Sequence, residues 1–148
     1  MPLVHAHVTE DALNPEALRA LVAQPSAGAM AMFVGQIRDH DHEASGEVES
    51  IDYSAHPDAD AMIGPICEAV LGELDPDGEA LVSAEHRVGH LEVGDLAIVV
   101  CVSTGHRRLA FQVCEELVER IKAELPIWKH QTEVGGRKVW SNLGLGAS

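Results

Sequence analysis

The chain has 148 residues, enough to bury a real core, and its 46% apolar content excludes an intrinsically disordered segment. Its formal net charge of −14 argues against non-specific binding to nucleic acid or to an anionic membrane surface, and no apolar run reaches the roughly 18 residues of a membrane helix. The three cysteines, Cys67, Cys101 and Cys114, form no C-x-x-C pair and sit in apolar stretches, so they read as buried thiols in a reducing compartment, with no disulfide framework.

Residues 4–8 suggest a short strand. Asn14-Pro15 looks like a helix cap followed by proline at the first helical position, and Leu18, Leu21 and Val22 put one apolar face on the helix 15–23. Residues 29–37 are apolar and read as a largely buried strand, with Gly35 at a bulge or close approach. A polar loop, 38–46, leads to an alternating strand at 48–55. A helix over 57–74 follows, with Met62, Ile66, Ala69, Val70 and Glu73 at helical spacing, interrupted at Gly64-Pro65. After a turn at 75–78, strands are expected at 80–88 and 95–103, joined through 89–94; the second is apolar enough to be central. The clearest helix is 107–125, with Ala110, Val113, Cys114, Leu117, Val118, Ile121 and Leu125 as its buried stripe and Pro126 as its end. The tail holds a turn at Gly135-Gly136 and ends in a Gly-rich stretch, flexible from about 141 to 148. The order, roughly β-α-β-β-α-β-β-α-β, implies a single α+β domain over 1–148 with a mostly antiparallel sheet and packed helices. With no N-terminal targeting signal, the expected location is cytoplasmic.

The cations are unevenly placed. All three lysines (Lys122, Lys129 and Lys138) fall within 17 residues, and eight of the ten Lys and Arg residues lie in the last 62. Lys122 suits a helix C-terminus, where cations are favoured anyway; Lys129, beyond the proline, is not explained that way. A bend at Pro126 would let the two amines converge, and a lysine among other cations has a lowered pKa suited to acid, base or nucleophile chemistry. The strand-to-helix corner Ser103-Thr104-Gly105-His106-Arg107 offers helix-start amides beside an imidazole and a guanidinium, either as an anion site or as an ordinary corner capped by Thr104 or Ser103. Arg38 leaves an apolar strand at a loop, where binding residues are common. His40 and His42, with His5 and His7, form a weak metal pattern lacking a clear further ligand. Trp128 reads as a core residue.

Four stretches carry a resemblance: 28–40 (GAMAMFVGQIRDH), 86–95 (HRVGHLEVGD), 102–107 (VSTGHR) and 125–129 (LPIWK). In this order they resemble the large, catalytic subunit of molybdopterin synthase, over about residues 5–140. The resemblance implies an α/β hammerhead-like fold and a homodimer within a heterotetramer. Each large subunit would bind a small ubiquitin-like sulfur carrier with a C-terminal Gly-Gly thiocarboxylate. The reaction implied is conversion of cyclic pyranopterin monophosphate (precursor Z) to the molybdopterin dithiolene, with no metal or other cofactor, because the sulfur arrives activated. The family's substrate-contacting stretch falls on Gln36, Ile37 and Arg38, its His-Arg pair on His106 and Arg107, and its two essential lysines on Lys122 and Lys129. His130 and Gln131 take the places after the second lysine. There the chain departs from the pattern: Gln131 stands where a glutamate is usual, removing a charge, and His130 stands for a usual cation. The residues also permit a Schiff-base lysine lyase, or a non-catalytic module that binds a ubiquitin-like tail.

Overall fold

The computed structural model describes residues 3–40 and 47–134, and the backbone of 138–142. The expected turn at 135–136, His42, and residues 143–148 of the expected tail lie outside the described residues; 141 and 142 belong to the last strand. Along the chain come β1 (Leu3–Thr9), α1 (Pro15–Leu21), β2 (Ala29–Gln36), β3 (Val48–Ala55), α2 (Ala59–Leu74), β4 (Leu81–Arg87), β5 (Gly89–Glu92), β6 (Leu96–Thr104), α3 (Arg107–Glu124), β7 (Ile127–Glu133) and β8 (Lys138–Asn142). The strands form two four-stranded sheets, ordered β1-β4-β6-β2 and β5-β3-β7-β8. Only β1 and β4 pair in parallel; every other pair is antiparallel, giving the expected α+β class. No helix among the described residues is long and apolar enough to cross a membrane.

β6 is the inner strand its composition suggests, flanked by β4 and β2. Its alternation explains the unbroken apolar run. Val99 and Cys101 pack with Leu13, Leu18 and Val22 around α1, while Ile98, Val100 and Val102 belong to the main core under α2 and α3. A strand covered on both faces has no polar side. Asn14 caps α1 as expected, its Oδ1 accepting from Ala17 N at 3.1 Å. All seven residues of the stripe expected on the last helix are buried. Pro126 follows Leu125, which is extended (φ −73°, ψ 127°), and the chain turns directly into β7.

Several expectations are corrected. β2 is an edge strand, not a buried one: Met30, Met32, Phe33 and Val34 are all exposed. On α2 the buried face is Ala59, Ile63, Ile66, Cys67, Val70 and Leu71, with Met62 exposed; Pro65 stays inside the helix on its exposed side, so the stripe lies one residue further round than its spacing suggested. The link 89–94 contains β5, which crosses to the second sheet, and the tail forms β8. Trp128 is exposed. Neither Thr104 nor Ser103 caps α3: Thr104 Oγ1 donates to His106 O at 2.5 Å, Ser103 Oγ donates to Val22 O at 2.6 Å, and the N-cap residue is His106.

Candidate active site

A cleft of about 330 Å³ opens where the end of β2 meets the last turn of α3 and the second sheet. Three local features build it. First, β2 shifts register against β6 between Gly35 and Gln36. Gly35 is required there, because a Cβ would stand 2.7 Å from Ile98 Cγ2. Beyond the shift, Ile37 N donates to Asp95 O and Gly94 N donates to Ile37 O, so the strand end is tied to the β5–β6 turn, and Gln36 and Arg38 line the cleft. Second, Lys122 projects from the last turn of α3. Third, the cross-strand pairs Tyr53–Lys129 and Ile51–Gln131 lie on one face of the second sheet, and all four side chains line the cleft.

The proline bend thus brings Lys122 and Lys129 into one cleft with Arg38, as their spacing allowed. Among the described lining residues there are three lysine or arginine side chains and no carboxylate, in a chain of net charge −14. Gln36, Ile37 and Gln131 also line it. His130 does not: strand alternation turns it to the other face, where its register partner Asp52 also accepts from His90 Nδ1 at 3.0 Å. His106 and Arg107 do not reach this cleft within the chain either. They are exposed at the start of α3, fifteen residues from Lys122, about 22 Å at the helical rise. The described histidines of the weak metal pattern are otherwise engaged: His5 contacts Glu85, His7 contacts Asp60, and His40 contacts Asp39.

One lining residue was not singled out from the sequence. His86 is 2% exposed and packs edge-on against Tyr53, ring centroids 5.2 Å apart. Its Nδ1–H donates to Arg87 O at 2.7 Å. Burial, with a smaller push from the positive charge of Lys122, lowers its pKa from 6.5 to about 4, outweighing that hydrogen bond. The ring is therefore neutral at pH 7. Its signal in the sequence was period-two spacing: Val82, Ala84 and His86 share the buried face of β4. Gln131 is wholly buried, and among the described residues neither its Oε1 nor its Nε2 has a hydrogen-bond partner.

A second, apolar groove runs along the outer edge of β2 and α3, lined by Met30, Met32, Phe33, Phe111 and Val118; Phe111 is 66% exposed.

The family model described as MoaE protein matches residues 8–124. The chain is 32% identical over 128 residues to molybdopterin synthase catalytic subunit 1 of Mycobacterium tuberculosis, covering 86% of this chain and 84% of that protein. Among solved structures, molybdopterin synthase from Staphylococcus aureus superposes with a TM-score of 0.80 at 26% identity, over 91% of this chain and 95% of that one. A complex of subunits 1 and 2 of molybdopterin-converting factor from Helicobacter pylori contains a chain of the same fold, with a TM-score of 0.67, 18% identity and coverage of 92% and 89%.

Proposed function

We propose, since the chain belongs to the MoaE protein family of molybdopterin synthase catalytic subunits, that it transfers sulfur from a small ubiquitin-like partner to precursor Z, forming the molybdopterin dithiolene. The observation that carries this reading is a cleft with Arg38, Lys122 and Lys129 and no lining carboxylate. Both reactants are anions, a phosphate-bearing pterin and a C-terminal thiocarboxylate. Within one Debye length, about 8 Å at physiological salt, these cations outweigh the acidic bulk of the protein. Arg38 suits bidentate binding of phosphate. Lys122 pairs with the incoming thiocarboxylate, and Lys129 moves the proton as sulfur adds and oxygen leaves. The sulfur-carrier tail enters with its Gly-Gly end toward the lysines, and no metal takes part in our scheme.

His106 and Arg107 join the site through a second copy. Ala29, the first residue of β2, pairs with Thr104, beside the corner; Gln36 and Arg38 stand at the other end of the same strand. Two β2 edges paired across a two-fold axis run antiparallel, so each corner comes to lie beside the partner's cleft. The exposed Met30, Met32, Val34 and Phe111 would be covered in that homodimer. The site is then complete only in the dimer, which with two small subunits makes the heterotetramer. His130, turned away from the cleft, has no substrate contact in this arrangement.

The test is incubation with precursor Z and a thiocarboxylated small subunit, read out as molybdopterin. Lys129→Ala should abolish product while folding and partner binding persist. Product formation by that variant at the wild-type rate would remove Lys129 from the chemistry, and partner binding by the wild-type chain with no product formed would leave only a binding module. A borohydride-trapped lysine–substrate adduct would favour the lyase.

A further inference from the structure

The corner between β6 and α3 forgoes an ordinary helix cap. Its N-cap residue, His106, makes no side-chain cap bond, although serine and threonine, which are favoured caps, stand just before it. Both hydroxyls are used elsewhere. Thr104, wholly buried, donates from Oγ1 to His106 O at 2.5 Å, bridging Gly105. Ser103, also wholly buried, donates to Val22 O at 2.6 Å and accepts from Gln24 Nε2 at 3.0 Å. The loop after α1 therefore grips the end of β6. It closes on the corner at Gly28, where a Cβ would stand 2.6 Å from Gly105 O, a backbone atom that cannot swing aside. The next residue, Ala29, is the β2 partner of Thr104. Buried hydroxyls and a backbone contact thus fix the corner, while the side chains of His106 and Arg107 stay exposed.

We propose that Thr104 and Gly28 are positioning residues for the reaction: they hold the corner in the place from which His106 and Arg107 reach the cleft of a second copy. This rests on the function proposed above and deepens it. Neither residue touches substrate in this scheme; each acts through the backbone of the corner. Arg38, Lys122 and Lys129 share one cleft within one chain, whereas the aim of His106 and Arg107 depends on the turn at Gly105. Misplacing a group by about 1 Å can cost on the order of a hundredfold in rate. Valine in the threonine rotamer would set a methyl where the Thr104 hydroxyl lies, 2.5 Å from His106 O. Carbon–oxygen contacts of that kind lie at about 3.3–3.6 Å, so Thr104→Val removes the bond and displaces the carbonyl by about 1 Å. Thr104→Ser keeps the hydroxyl. Gly28→Ala presses on the same corner at Gly105 O.

The experiment is complementation between copies, with precursor Z, the thiocarboxylated small subunit and molybdopterin as the readout. Alone, Thr104→Val should keep its dimer mass by light scattering and its binding of the small subunit, yet lose about tenfold or more in kcat/KM. Thr104→Ser should recover most of that loss. Refolded in equal amounts with Lys129→Ala, Thr104→Val should regain about one quarter of wild-type activity, because half of randomly paired dimers are mixed and each has one site with an intact corner and an intact lysine. A residue that only supported its own chain's fold or cleft would leave the mixture at the mean of the two homodimers, below roughly one tenth of wild type. Gly28→Ala should behave as Thr104→Val does, which keeps the test open if valine at 104 prevents folding. Wild-type kcat/KM in Thr104→Val, no gain in the mixture, or failure of both variants to fold would overturn the proposal. Arg107→Ala mixed with Lys129→Ala is the control. No product from wild type, or no gain from that control pair, would sink the function or the shared site proposed above and this inference with it. A gain from the control pair without one from the Thr104→Val pair would sink this inference alone.

Discussion

The buried neutral imidazole has a measurable consequence for stability. In the unfolded chain His86 titrates near 6.5; in the folded chain burial moves it to about 4. Below 6.5 the unfolded state gains a proton that the folded state refuses, so acid favours unfolding. The His86 contribution is fully present above pH 6.5 and is lost progressively as pH falls toward 4. Between pH 7 and pH 5 the unfolded chain gains about 1.5 pH units of free energy from this one proton, about 2 kcal/mol at 1.36 kcal/mol per unit. That is a large share of the roughly 5–15 kcal/mol that holds a domain together. Urea denaturation of wild type and His86→Gln at both pH values isolates the effect. Contributions from other ionisable groups are common to both proteins and cancel in the difference. The variant should be less stable at pH 7 through lost packing, yet lose about 2 kcal/mol less than wild type on moving to pH 5. Parallel losses in the two proteins would refute a neutral, buried His86.

Sharing of sites between copies predicts complementation: Arg107→Ala and Lys129→Ala should each be nearly inactive as homodimers, whereas a mixed population should regain activity, because a mixed dimer carries one site with both residues intact. Absence of recovery on refolded mixtures, measured as molybdopterin formed, would place both residues in one chain's function. Met32→Asp with Phe111→Asp should convert the dimer to monomer by light scattering and abolish activity, since both side chains line the exposed groove at the β2 edge; an unchanged mass would put the dimer contact elsewhere. Gly35→Ala should cost about 1–3 kcal/mol by urea denaturation and lower activity, because its Cβ would stand 2.7 Å from Ile98 Cγ2 and 3.2 Å from Phe33 Cε2. Wild-type stability in that variant would mean that the strand end yields easily.

The fold was legible wherever burial is one-sided and regular. α3 reads from its spacing because one stripe faces the core and the rest faces water. β6 reads as central because helices cover both its faces. Failures came where an apolar pattern had another meaning. β2 is as apolar as an inner strand, yet its outer edge is uncovered in the single chain: nothing in the composition of Met30–Val34 distinguishes an edge strand from an inner one. β5 was missed because four residues after a glycine turn carry too little pattern to signal a change of sheet. The α2 stripe was misjudged by one position because Met62 and Ile63 are adjacent and both apolar, and only tertiary packing selects Ile63.

For the site, permanent charge was easier to read than neutral polarity. In a chain of net charge −14, three lysines in 17 residues stand out, and the proline bend between two of them supplies a reason for convergence. His106 and Arg107 were equally visible, but within one chain they stand at the far end of α3 from Lys122, and the two-fold pairing proposed to join them to the cleft is not encoded in spacing along one chain. Gln131 and His86 are harder still. In sequence, a glutamine on an alternating strand is an ordinary solvated residue, and a histidine in step with Val82 and Ala84 on an alternating strand is an ordinary core residue. Only the absence of partners around a fully buried amide, and a backbone carbonyl fixing one imidazole proton, separate them from that background. A charged residue announces a counter-ion wherever it lies, whereas a neutral donor or acceptor has meaning only once its neighbours are known.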